Sequence, residues 1–195
     1  LSAEYIKSAA LKLFAEHGYD GTSLASIAEV VGIKKQSIYA HFQGKDDLFL
    51  SLLKETFAVE LAREQTFLKN HFNAPLHSFL EDSLASFLSR FHHDYRLKFW
   101  LRVTFLPPTK LYDQVNLMLN NYILNVESLY LERFKAAVDH QEINIQDANK
   151  ANLAFSALLD SVGMELIYGD QERAKEKLAA SWAIYWHGLN STLTT

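Results

Sequence analysis

The sequence predicts an all-α fold, and three observations carry that expectation. Apolar residues recur at i, i+3, i+4 and i+7 in segment after segment, and no strand-like alternation persists. The glycines sit mostly between the periodic segments, and the only prolines, Pro75, Pro107 and Pro108, fall at expected helix ends. Hydrophobic residues are 49% of the chain and charged residues 22%, enough apolar matter for a core and too few charges for wholesale disorder. About nine helices are expected. They divide into an N-terminal three-helix domain over residues 1–45 and a larger C-terminal helical domain over residues 46–195.

The first helix is expected over residues 3–17, with Ser2 as its N-cap and Ile6, Ala10, Leu13 and Phe14 as its apolar stripe. Gly18 stands where a left-handed backbone ends a helix at little cost. Thr22 or Ser23 caps the second helix, whose inward face is Leu24, Ile27, Ala28 and Val31; Gly32 ends it. A short third helix runs from about Lys35 to Phe42, with Ile38 and Phe42 inward. Asp46 and Asp47 suit the first turn of a long fourth helix, with Leu48, Leu52, Phe57 and Leu61 along its apolar face.

Further helices are expected over 76–92, 94–106, 109–139, 147–168 and 171–191. Pro75 suits a helix start, and Pro107-Pro108 separates two helices. Residues 144–147 read as a turn and cap. Gly169-Asp170 ends one helix and caps the next. No internal repeat or low-complexity stretch occurs.

Composition narrows the function. The chain has no cysteine, so it can form neither a disulfide nor a thiolate metal site, and a reducing, cytoplasmic setting is expected. No apolar run reaches membrane-spanning length. The chain opens mid-pattern at Leu1, so native residues are expected to precede it. No phosphate-binding glycine loop, G-x-S-x-G elbow or H-E-x-x-H is present. His92-His93 and the His71/His77 pair lack the spacing that places two imidazoles on one helix face. An enzyme, a metal and a cofactor are therefore not expected.

Charge points elsewhere. The net charge of -4 argues against a generic polyanion binder. Residues 1–45 nevertheless hold five lysines against Glu4, Glu16, Asp20 and Glu29, a net of +1 that leaves -5 for the remainder. Three of those lysines and no acid lie within 33–45. Two short helices with a glycine turn between them, the second polar and basic, spell helix-turn-helix. The first of the pair is buried to hold the second, and the second presents Lys34, Lys35, Gln36, Ser37, Tyr39 and His41 outward to a major groove.

From Ile6 through Phe49 the chain resembles the N-terminal domain of the TetR family. The matching features are Leu13-Phe14, Gly18-Tyr19, Thr22-Ser23, Ile27-Ala28, Gly32, Tyr39-Ala40-His41-Phe42, Lys45 and Leu48. The resemblance implies that Thr22 caps the second helix and touches phosphate. It implies that Lys45 pairs with a phosphate at the start of the fourth helix, and that Tyr39 and His41 lie against the DNA backbone. Lys34, Lys35, Gln36 and Ser37 would then stand nearest the base edges. There lysine can reach guanine O6 and N7, and glutamine can pair with adenine. Lys35 and Gln36 stand where many members carry small residues, so an unusual operator is expected.

The same resemblance implies a homodimer on a near-palindromic double-stranded operator and a small-molecule effector. Too few cations lie on one domain for tight binding through phosphates alone, which also argues for two copies. The expected dimer interface is Leu158, Val162, Leu166, Leu178, Trp182, Trp186 and Leu189 on the last two helices, with an internal core as the alternative for each. The expected effector pocket is lined by Phe99, Trp100, Thr104, Phe105, Met118, Tyr122, Phe155 and Leu159, with plain core as the alternative for each; Asn120, Asn121, Asn125 and Asn152 are candidate polar anchors, with a solvent face as the default. The expected function is a ligand-responsive transcriptional regulator, most naturally a repressor. The alternative is a helical protein-interaction adaptor without specific DNA binding.

Overall fold

The computed structural model describes residues 2–191, and among them nine α-helices and one 3-10 turn appear, with no strand. The helices are α1 (Ala3–His17), α2 (Leu24–Val31), α3 (Lys35–Ile38), α4 (Lys45–His71), α5 (Leu76–Arg90), α6 (Tyr95–Phe105), α7 (Tyr112–Asp139), α8 (Ala148–Tyr168) and α9 (Gln171–Asn190); the 3-10 turn is Thr109–Leu111. The all-α expectation holds, and most helix ends fall within two residues of those read from the sequence. The third helix is shorter than expected. Beyond Ile38 the chain tightens, with the His41 amide on the Ile38 carbonyl at 2.9 Å, a three-residue closure.

Two compact units divide the chain. One gathers residues up to Glu60 with Phe91–Asn121; the other gathers Leu61–Arg90 with the chain from Tyr122 onward. This division differs from 1–45 and 46–195; in the first unit α6 packs on α1. Arg102 of α6 donates from Nε to the Ala15 carbonyl (3.0 Å) and from Nη2 to that of Glu16 (3.2 Å), satisfying acceptors that the end of α1 leaves open.

In the first unit, Phe14, Phe49 and Phe99 meet in the core: Phe49 stands edge-on to Phe14 at 5.1 Å and to Phe99 at 5.3 Å. Ile6, Ala10, Ile27, Ile38, Leu48 and Leu52 close it. In the second unit the aromatic core runs from Phe79 to Tyr130 (5.6 Å), on to Phe155 (5.8 Å) and Tyr185 (6.1 Å). The Tyr130 hydroxyl donates to Glu64 at 2.8 Å and lies 2.8 Å from the Ser83 hydroxyl. Burial, and then the Glu64 charge, push the Tyr130 phenol well above its usual range. Asp147 and Asp170 cap α8 and α9 by accepting from the Lys150 and Arg173 amides.

Candidate nucleic-acid interface

The α2–α3 pair is built by local chemistry. Ser23 accepts the Ser26 amide at 3.0 Å while Ser26 Oγ accepts the Ser23 amide at 3.0 Å, a reciprocal capping box. Gly32 ends α2 at φ 75° and ψ 35°, and Ile33 donates back to the Ala28 carbonyl at 2.9 Å. The turn thus requires a left-handed residue, and glycine takes that conformation freely. Leu24, Ile27 and Ala28 bury α2; Val31 is half-buried at its end.

This scaffold fixes the direction of α3. Ile38 and Phe42 point into the core, so the side chains between and before them point out. Lys34, Lys35, Gln36, Ser37, Tyr39 and His41 are all exposed, Tyr39 by 51%. Six polar or basic side chains are therefore exposed along and around a short helix seated by a buried neighbour.

Two of the expected contacts need correction. Thr22 does not cap α2; Ser23 does. Thr22 is 2% exposed, and its hydroxyl donates to the carbonyls of Gly18 (2.8 Å) and Leu13 (3.1 Å). Its side chain closes the α1–α2 turn instead of facing outward. Lys45 likewise turns inward. Its Nζ donates to the carbonyls of Tyr19 (2.8 Å) and Thr22 (3.1 Å) and lies 3.9 Å from the centre of the Tyr19 ring. It ties that turn to the head of α4.

A further group completes the tie. The Tyr19 hydroxyl donates to Asp46 Oδ1, and Lys110 from the 3-10 turn pairs with Asp46 Oδ2 at 2.5 Å. Hydrogen bonds from Lys110 and from Tyr19 hold the Asp46 carboxyl below its usual range. Burial and then Asp46 push the Tyr19 phenol above its own. The sequence reading took Asp46 only as a helix-start residue and missed Lys110. Nothing in the local pattern links positions 19, 46 and 110.

The expected interface residues are distributed unevenly. Leu158, Val162, Leu166 and Leu189 are buried within a single chain, so they cannot supply a surface for a partner. Leu178, Trp182 and Trp186 are half-buried. Trp182 Nε1 donates to Glu81 at 3.2 Å, and the Trp186 ring stands edge-on to His77 at 4.5 Å, both on α5. The exposed large apolar residues of α8 and α9 are instead Leu153, Met164, Tyr168 and Ile184.

The expected pocket residues fall into both units. Phe99, Trp100, Thr104, Phe105 and Met118 belong to the first; Tyr122, Phe155 and Leu159 belong to the second. Phe99, Tyr122 and Phe155 are buried, and the others are half-buried. Of the four asparagines, Asn120, Asn121 and Asn125 are exposed, which removes them as buried anchors. Only Asn152 is buried, and its amide donates to the Glu127 carbonyl at 2.8 Å. The sequence reading missed the polar row on α4. Thr56 and Glu60 are buried at 0% and 2%, and Glu64 follows at the same spacing, all continuing the i+4 ladder begun by Leu48 and Leu52.

The fold and this surface define a helix-turn-helix protein. Residues 6–52 match the family described as "Bacterial regulatory proteins, tetR family". The IcaR negative regulator of the icaADBC biofilm operon in Staphylococcus epidermidis is 34% identical over 85 residues, 44% of this chain and 42% of that one. The ComR transcriptional repressor of Escherichia coli is 48% identical over 44 residues, 23% of this chain and 21% of that one. The matched stretch thus covers less than half of these relatives. In fold, the chain is similar to a TetR-family regulator from Agrobacterium tumefaciens (TM-score 0.76, 17% identity, 97% of each chain). It is also similar to FadR from Bacillus subtilis, solved in complex with stearoyl-CoA (TM-score 0.71, 21% identity, 94% of this chain and 96% of that one). Residues 6–52 thus carry the N-terminal domain of the tetR family, and the chain as a whole shares the fold of TetR-family regulators.

Proposed function

We propose that this protein is a repressor that binds a near-palindromic operator as a homodimer and releases it when a small molecule occupies its C-terminal helices. The observation that carries the reading is the exposed polar surface of Lys34 to His41, backed by Ile38 and Phe42. Lys34, Lys35, Gln36 and Ser37 stand nearest the base edges, and Tyr39 and His41 flank them toward the phosphates. Two copies place α3 in successive major grooves, roughly 34–36 Å apart or a multiple of it. The site of action is then the bacterial cytoplasm, where the DNA is.

Release is a matter of differential affinity. To lower operator affinity a hundredfold, the effector must bind the released state about 2.7 kcal/mol more tightly than the DNA-bound state. The Lys45 tie gives the change a route within the first unit: when the head of α4 moves, the α1–α2 turn moves with it and re-aims α3. The complex of FadR with stearoyl-CoA supports looking first among lipophilic effectors.

The test is selection of bound sequences from a random DNA pool, followed by anisotropy titration of the selected duplex across a salt series. A near-palindromic selected site, with affinity falling steeply as salt rises, is the expected result. No enriched sequence, or affinity indifferent to salt, overturns the reading and leaves a protein-binding adaptor in its place.

A further inference from the structure

A cleft of about 490 Å³ opens in the second unit, where the turn after α4 meets the last turns of α7. Phe72, Asn73 and Pro75 line it from the turn, and Arg133, Ala136, His140 and Glu142 line it from α7 and the segment after it. None of these residues belongs to the expected effector pocket. The volume is in the range that small-molecule sites occupy.

Arg133 is the unusual member. It is 2% exposed, and its two terminal nitrogens are taken up: Nη1 pairs with Glu142 Oε1 at 2.9 Å, and Nη2 donates to Glu142 Oε2 (2.9 Å) and to the Ala74 carbonyl (2.7 Å). Its Nε–H is buried and has no acceptor among the described residues. Buried donors are rarely left so, and each such group calls for an explanation. Glu142 also accepts the Leu76 amide at 2.7 Å. Burial opposes its charge, but Arg133 and that amide hold the carboxyl below its usual range, and the two-pronged contact sets one charge directly against the other.

The cleft therefore offers one strong unpaired donor, one amide able to give and to take, and apolar walls, with no net charge from the Arg133–Glu142 pair. That combination suits an uncharged ligand. A carboxylate would give up its hydration there with no net positive charge to replace it, because Glu142 already takes up the Arg133 charge. We propose that this cleft binds a small uncharged carbonyl- or amide-bearing molecule, whose oxygen accepts from Arg133 Nε–H while its apolar body lies against Phe72 and Pro75. Phe72 is the part that gives way. It is 37% exposed and its ring centre is 5.9 Å from Arg133 Cζ, so it is the exposed ring beside the guanidinium, and the proposal requires it to turn aside. Phe79, 5.8 Å from the same carbon and fully buried, stays in place.

The test uses benzamide and benzoate as probes of the full chain, read by the arginine Nε–H signals in nitrogen-15 NMR. Benzamide shifts the Arg133 signal saturably, with a dissociation constant on the order of millimolar. Benzoate, equal in shape but charged, binds roughly tenfold more weakly at neutral pH. Ala136→Phe grows into the cleft, leaves the Arg133–Glu142 pair intact, and abolishes the benzamide shift without changing the thermal melt. The proposal is overturned if benzamide leaves Nε–H unmoved, if benzoate binds as well, or if Ala136→Phe binds as the wild type does. Operator binding is not part of the readout, so a failure here leaves the regulator reading standing.

Discussion

At the scale of single residues, the lysines of the first unit divide by what their ammonium groups touch. Lys45 holds two carbonyls of the α1–α2 turn; Lys34 stands exposed at the start of α3. Lys45→Ala leaves those carbonyls without their donor, at a cost of about 1–3 kcal/mol. The expected outcome is a melt several degrees lower, with affinity reduced for all DNA sequences alike. Lys34→Ala should change stability by no more than about 0.5 kcal/mol and reduce the salt slope of binding by about one. Differential scanning calorimetry and a salt titration separate the two cases; equal melts would place Lys45 outside the turn. Asp46 adds a pH dependence. Its folded pKa is depressed, so its contribution is complete above about pH 4, the unfolded value, and is lost as pH falls through the lower folded value. Asp46→Asn should thus differ from wild type by a constant amount between pH 5 and 8, and the gap should close in acid. The carboxyl is 37% exposed, so the gap is small.

At the scale of elements, α2 is a short helix that depends on its two ends. Ser23→Ala removes the acceptor of the Ser26 amide and should cost about 0.5–2 kcal/mol. Gly32→Ala meets no neighbouring atom, so its cost is the left-handed backbone alone, about 1–2 kcal/mol. Gly32→Asn should recover part of it, since asparagine tolerates that conformation. Urea midpoints measure all three, and an Asn variant no better than Ala would deny the backbone account. These ends were legible in the sequence because capping and glycine turns are local rules. So were the helices, each written in a few turns of apolar spacing. What covers an apolar stripe was not legible. Leu158 and Val162 look from the sequence much like Leu153 and Met164, yet the first two face their own chain and the second two face outward. A helical stripe records that something is buried, not whose atoms bury it. Lys45 misled for the same reason. Its charge is visible in the sequence, while the orphan carbonyls that capture it come from residues more than twenty positions away.

At the scale of the whole molecule, the proposed dimer needs a surface, and α8 and α9 provide one. Leu153, Ala157, Met164 and Tyr168 recur at helical spacing along the exposed side of α8. Ile184, 76% exposed, is flanked on α9 at four-residue spacing by the exposed Ala180 and Gly188. Small residues beside a large one let two helices approach closely while giving an anchor to bury. Monomeric proteins rarely leave such a stripe open. Ile184→Lys places a charge on that surface without touching the core of its own chain, so the fold of each protomer should survive. Sedimentation should then show the variant at one chain mass where the wild type shows two. Affinity for the full operator should fall by at least about a hundredfold, because a single copy keeps only half the phosphate contacts. Affinity for an isolated half-site should be unchanged. Met164→Glu should behave alike from the α8 side. If both variants remain dimeric, the association surface lies on other helices; if they become monomeric yet bind the full operator as before, the operator does not require two copies.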